Sequence, residues 1–175
     1  KGMGKNRAVF DMFYRATSEI TAYAIAAGLE QVIEYVNNLH FAEEDIAYLR
    51  SLNLFDESFL DYLSNFKFTG DIMAVPEGTI VFSYEPIVRV TAPIMEAQLI
   101  ETALLNIVNH QTLIATKAGR VVQAADGGAV LEFGLRRAQG PDAGIYGARA
   151  AVIAGCQSTS NVLTGEMFGI PLGGT

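Results

Sequence analysis

The run that opens at Pro93 constrains the chain more than any other. Proline is tolerated at the first helical position. From there to about Gln123 the residues Met95, Leu99, Thr102, Ala103, Ile107, Val108, Leu113 and Ile114 return to roughly one side. A helix of that length spans a domain, so the other elements must pack on it or lie beyond its ends. The segments on either side of it are of two different kinds.

On the N-terminal side, Ala22–Asn37 places Ile25, Leu29, Val32, Ile33 and Val36 at three- and four-residue steps, which predicts an amphipathic helix slightly weakened by Gly28. Two more helices are predicted over Glu43–Leu52 and Glu57–Asn65, with Asn53 as the turn between them and Phe55, Phe59, Phe66 and Phe68 as core. From Gly70 the stretch GDIMAVPEGTIVFSYEPIVRVTAP reads as short strands divided at Pro76-Glu77-Gly78 and Glu85-Pro86, an antiparallel set of hairpins. After Asp126-Gly127-Gly128 the texture changes to strand AVLEFGL, helix AGIYGARAAVIAG, a short extended segment CQS, helix SNVLTGEMFG and strand IPLGG. Strands alternating with helices imply parallel βαβ units. Three such strands and two helices are too few to close a barrel and leave sheet edges uncovered, so a fragment is expected.

At 175 residues, half of them hydrophobic, the chain can bury a real core. No apolar run approaches the roughly 18 residues of a membrane span, and the start lacks the shape of a signal peptide, so a cytoplasmic location is the default expectation. Twelve Lys and Arg against 19 Asp and Glu argue against a nucleic-acid partner. The single cysteine, Cys156, excludes an internal disulfide and a thiolate-rich metal site, and reads as a small buried side chain. His40 and His110 stand far apart with no paired ligand nearby, and no metal site is expected from protein ligands. Lys117 and Arg120 read as solvating the long helix or complementing its dipole.

In α/β architectures ligands bind at the carboxyl ends of the strands. Three segments fall there: Arg136-Arg137-Ala138-Gln139-Gly140, Ser158-Thr159-Ser160-Asn161 and Gly173-Gly174-Thr175. The two arginines, bracketed by Gly134 and Gly140, read either as a solvated surface pair or as a guanidinium fork for a carboxylate or phosphate approaching close to the backbone. The second segment reads either as a helix cap or as a phosphate site. The third is a glycine loop of low specificity.

The stretches LEFGLRRAQGPDAG and TSNVLTGEMFGIPLGGT, together with FTGDIMAVPEGTIVF and EPIVRVTAPIMEAQLIETALLNIVNHQTLIATKA, strongly resemble the nicotinate phosphoribosyltransferase family over nearly the whole chain. The resemblance implies an α+β domain over residues 1–128, then the first βαβ units of an incomplete α/β, TIM-like barrel over 129–175. It implies transfer of 5-phosphoribosyl 1-diphosphate to nicotinate with ATP hydrolysis through a phosphorylated histidine, Mg²⁺ carried on the diphosphate, and a homodimer. It also implies substrate contacts at Gly134, Leu135, Arg136, Arg137, Ser158, Gly174 and Thr175. The family's phosphorylated histidine falls three residues after Thr175 and its Asp-Leu-Tyr motif before Lys1, so no catalytic residue is expected in this chain, nor activity from it alone. RATSEITAYAIAAG departs from the family pattern and leaves the conformation of Ala16–Thr21 open. Two competing readings are a phosphoribosyltransferase for nicotinamide or quinolinate, and a lipoyl-type carrier presenting the tip Val75-Pro76-Glu77-Gly78.

Overall fold

The computed structural model describes residues 6–15 and 22–174; Ala16–Thr21 and Thr175 lie outside the described residues. The long helix, α4, runs over Ile94–Ala124 and starts directly after Pro93. Against it lies an antiparallel sheet of β1 (Arg7–Phe13), β5 (Pro86–Pro93) and β3 (Asp71–Ala74), in the order β1-β5-β3. Val88, Val90 and Ala92 of β5 meet Ile100, Leu104 and Val108 of α4 in the main core, and Val32 of α1 (Leu29–Asn38) joins them. A satellite core gathers Ile46 of α2 (Glu43–Ser51) with Leu60 and Leu63 of α3 (Glu57–Ser64), and Phe59 and Leu99 pack on it. The phenylalanines of this region are packing residues, as expected, although Phe55 is exposed.

Only the second half of the helix expected over Ala22–Asn37 forms. Tyr23–Ile25 is a strand, β2, paired antiparallel with β4 (Ile80–Phe82) in a separate two-stranded sheet. The physical reason is tertiary. The amides of Ile25 and Ala27 donate to the hydroxyls of Thr116 (2.9 Å) and Thr112 (3.2 Å), so α4 satisfies donors that a lone strand would leave open. Gly28 does not weaken α1 but begins it. Its φ of 109° is left-handed, and a Cβ there would lie 3.1 Å from both the Ile107 carbonyl oxygen and Val108 Cα. The hairpin reading needs a matching correction, since β3 pairs with β5 while β4 crosses to β2.

After the left-handed turn at Asp126 and Gly127, β6 (Leu131–Glu132) and β7 (Ser158–Thr159) form a parallel pair, and a single parallel bridge joins Thr159 to Leu172. The expected strand AVLEFGL is therefore cut short at Glu132. Helix α5 (Pro141–Ile153) connects the pair and α6 (Val162–Phe168) follows. α5 packs on α4 through Ala115, Ala118, Ala150 and Ala151, and residues this small let the helix axes come close. No helix among the described residues is long and apolar enough to cross a membrane.

That close approach carries Arg149 of α5, 8% exposed, into the first part of the fold. Its guanidinium donates to both oxygens of Glu77, at 2.9 and 2.6 Å, and also pairs with Glu30. Glu77 sits at the tip of the β3–β4 connection, where Gly78 at φ 83° and a Thr79 amide to Pro76 carbonyl bond make a type II turn. Its Oε1 also accepts the amides of Gly28 (2.6 Å) and Leu29 (3.1 Å), so it caps α1 in place of a local side chain. Phe168 of α6 faces the same guanidinium with its ring centroid 5.4 Å from Cζ. The tip that a carrier module would present is thus engaged by α5 and by the start of α1. Burial opposes ionisation of Glu77, but Arg149 and the two amides outweigh it and hold the carboxyl below its ordinary value.

Three outcomes are expected in unfolding experiments on the chain. Gly28→Ala should lower stability by about 1–2 kcal/mol, seen as a drop in Tm, because alanine must adopt the left-handed conformation; an unchanged Tm would remove that requirement. Arg149→Met leaves Glu77 unpaired in a largely buried position and should cost about 3 kcal/mol in denaturant titration, with most of the loss recovered when Glu77→Gln is added. Glu77, with its folded pKa depressed, contributes stability that is complete above its unfolded value and lost as pH falls through the lowered one. Glu77→Gln should therefore flatten the acid side of the stability profile, and an unaltered slope would contradict the pairing.

Candidate functional site at the strand ends

β6, β7 and the bridge at Leu172 end side by side. Ser160 N–H donates to the Glu132 carbonyl (3.1 Å), Thr159 N–H to the Pro171 carbonyl (3.1 Å) and Gly173 N–H to the Thr159 carbonyl (3.0 Å), so β7 is the middle of three parallel segments. The three segments singled out in the sequence are therefore neighbours in space. Thr175 itself lies outside the described residues, and Gly174, next to Gly173, is exposed.

Arg136 and Arg137 are not on a strand. Leu135–Arg137 is one turn of 3₁₀ helix, closed by Arg137 N–H to the Gly134 carbonyl (2.8 Å) and Ala138 N–H to the Leu135 carbonyl (3.1 Å). The cause lies two residues back, where the Glu132 carboxylate accepts the Gly134 amide and so ends the ladder. Both arginines are exposed, and among the described residues neither has a salt-bridge partner. The Leu135 side chain lies against α5 where Gly144 leaves room, since a Cβ on Gly144 would collide with it. Of the bracketing glycines, Gly140 is required by its φ of 106° ahead of Pro141, with open space around it. Gly134 has φ −83°, which any residue adopts.

In the second segment, Ser158 and Thr159 are β7 itself and both are buried. Asn161 caps α6, its Oδ1 accepting the Thr164 amide at 3.3 Å, so the cap alternative describes that residue. The Asn161 amide is spent on Thr159 Oγ1 (3.0 Å). Ser158 lies under Gly173, where a Cβ would fall on the Ser158 hydroxyl and force it to turn away.

Two functional candidates escaped the sequence reading, and each had a signal. Arg149 is the one charge in the apolar helix AGIYGARAAVIAG, and Glu132 the one charge in AVLEFGL. Burial, with the Glu132 charge adding to it, pushes the Cys156 thiol up, consistent with a packing role. Arg120 does more than solvate α4, because its guanidinium lies over the Tyr23 ring at 5.3 Å. His110 Nε2 meets the Ala143 carbonyl at 3.3 Å, and among the described residues no group of three or more His, Cys, Asp or Glu could hold a metal. A groove of about 930 Å³ lies away from the strand ends, between β1 and α4, lined chiefly by apolar groups such as Phe10, Met12, Ile100 and Leu104.

Comparison with known proteins matches residues 1–109 to the model of the nicotinate phosphoribosyltransferase N-terminal domain. A nicotinate phosphoribosyltransferase of Mycobacterium tuberculosis is 47% identical over 168 residues, covering 96% of this chain and 36% of that protein. The Bacillus subtilis nicotinate phosphoribosyltransferase is 49% identical over 174 residues, covering 99% and 36%. Among solved structures, human nicotinic acid phosphoribosyltransferase superimposes with a TM-score of 0.91 at 34% identity, over 99% of this chain and 36% of that one. The chain thus spans about a third of the length of the relatives it matches, and with this mixed α and β fold it belongs to the nicotinate phosphoribosyltransferase family.

Proposed function

We propose that the whole protein joins nicotinate to 5-phosphoribosyl 1-diphosphate, giving nicotinate mononucleotide and diphosphate in the salvage route to NAD. The observation that carries this reading is the exposed Arg136, without a salt-bridge partner among the described residues, on the 3₁₀ turn at the carboxyl end of β6, within a family whose named relatives are nicotinate phosphoribosyltransferases. Phosphoribosyl transfer builds positive charge on the ribosyl carbon as diphosphate departs. The protein's task is positioning and charge neutralisation, and no covalent nucleophile is needed.

In this reading Arg136 offers its planar fork to the nicotinate carboxylate or a phosphate. Leu135, packed on α5, fixes the height of the turn, Gly134 holds the turn through its amide to Glu132, and Gly174 leaves backbone open to a flat ligand. Arg137 adds charge at the rim, and Ser158 and Thr175 complete the set of contacts. Mg²⁺ bound with the diphosphate would supply further neutralisation, in keeping with its preference for phosphate oxygens over an all-protein cage. Coupling to ATP hydrolysis, a homodimeric assembly and a cytoplasmic location belong to the same proposal. So do the division near residue 128 and the assignment of β6, α5, β7 and α6 as the start of an incomplete barrel.

The full-length protein should form nicotinate mononucleotide from the two substrates. Arg136→Ala should raise the KM for the substrate it grips by about ten- to a hundredfold with a smaller effect on kcat, the size of one charge-assisted contact. Wild-type protein that makes no nicotinate mononucleotide would overturn the assignment, and an unchanged KM for both substrates would remove Arg136 from the site.

A further inference from the structure

We propose that Glu132 is a positioning residue, the carboxylate that holds the Arg136 turn in its anion-binding shape without forming a salt bridge to the guanidinium. This rests on the function proposed above. Glu132 is the last residue of β6, and its two oxygens point to different elements. One accepts the Gly134 amide, at the start of the 3₁₀ turn, and the other accepts the Thr159 hydroxyl at 2.6 Å.

The direction of the second bond is forced. Thr159 Oγ1 already accepts the Asn161 amide at 3.0 Å, so its own proton is free to go to Glu132. Thr159 is fully buried and lies in the middle of the three parallel segments, with backbone bonds to the Pro171 carbonyl and from the Gly173 amide. Glu132 is thereby anchored to the most constrained residue of the strand ends. From that anchor it fixes Gly134, whose carbonyl closes the turn by accepting the Arg137 amide.

Among the described residues, the carboxylate four residues from Arg136 does not pair with it, nor with Arg137. Both oxygens are committed, one to backbone and one to Thr159. Removing the carboxylate would free the Gly134 amide and loosen the turn by an amount small in stability but large for a two-point grip on an anion. Glu132 touches no substrate in this scheme and acts only through Arg136.

The test uses full-length protein carrying Glu132→Gln, Thr159→Val or Thr159→Ser, each alone and with Arg136→Ala. Glutamine keeps the shape but cannot accept from both donors. Glu132→Gln and Thr159→Val should raise, by about tenfold, the KM of whichever substrate Arg136→Ala affects, leaving the KM of the other nearly unchanged; Tm should hold in Glu132→Gln but fall in Thr159→Val, which also strands the buried Asn161 amide. Thr159→Ser, which keeps the hydroxyl, should recover most of the loss. In the Arg136→Ala background Glu132→Gln should add almost nothing, as expected of two residues acting as one unit. A Glu132→Gln effect that keeps its full size without Arg136, or that lowers kcat/KM for both substrates in step with Tm, would overturn the inference.

Calorimetric binding of nicotinate and of inorganic diphosphate separates this failure from failure of the activity reading. Wild-type protein that binds either anion through Arg136 but makes no nicotinate mononucleotide sinks the activity, and the same variant series is then read in Kd. Wild-type protein that turns over with KM values insensitive to Glu132→Gln sinks only the role of Glu132.

Discussion

A guanidinium at 8% exposure must find compensation in every direction, and Arg149 draws it from several elements at once. Glu77 supplies a two-point carboxylate, Glu30 a second charge, Phe168 a ring face, and Gln111 of α4 lies 3.4 Å from Nη1. A buried pair of this kind adds little net stability over apolar packing, but it tolerates no shift of register, because a displaced α5 would leave two charges unpaired. Glu77 links that constraint to the start of α1, whose first amides it caps. The pairing therefore fixes how the βαβ end of the chain sits on the antiparallel sheet and α4.

The strand-end site inherits its rigidity from this arrangement. α5 is held by Arg149 at one end, and near its start Gly144 receives Leu135, the residue beside Arg136. The Glu132–Thr159 pair holds the other side of the same turn. An exposed arginine on a mobile loop would lose much of its binding energy to ordering. On a turn braced from both sides it can be left without a partner and still keep its place.

The sequence made the long helix, the satellite helices, the antiparallel strands and the change of texture after Gly128 legible, because each rests on local periodicity or turn chemistry. It misassigned Tyr23–Ile25, whose apolar spacing fits a helix equally well. What settles it is pairing with β4 and the Thr112 and Thr116 hydroxyls roughly 90 residues away. It placed the arginines at a strand end but not in a 3₁₀ turn, since the bond that breaks the strand comes from a side chain two residues earlier. Gly28 looked like a flaw in a helix and is the step that starts one.

The sequence by itself determined most of the element types, the order of the three strand-end loops, and the family to which that order belongs. Those depend on residues close together along the chain, where pattern and turn preference act directly. Only the tertiary structure decided which charges are spent and which are free. Arg149 and Glu77, 72 positions apart, neutralise each other, and Glu132 is committed to Thr159 and Gly134. Arg136, four residues from a carboxylate, has no salt-bridge partner among the described residues, because pairing of charges follows distance in space and not separation along the chain.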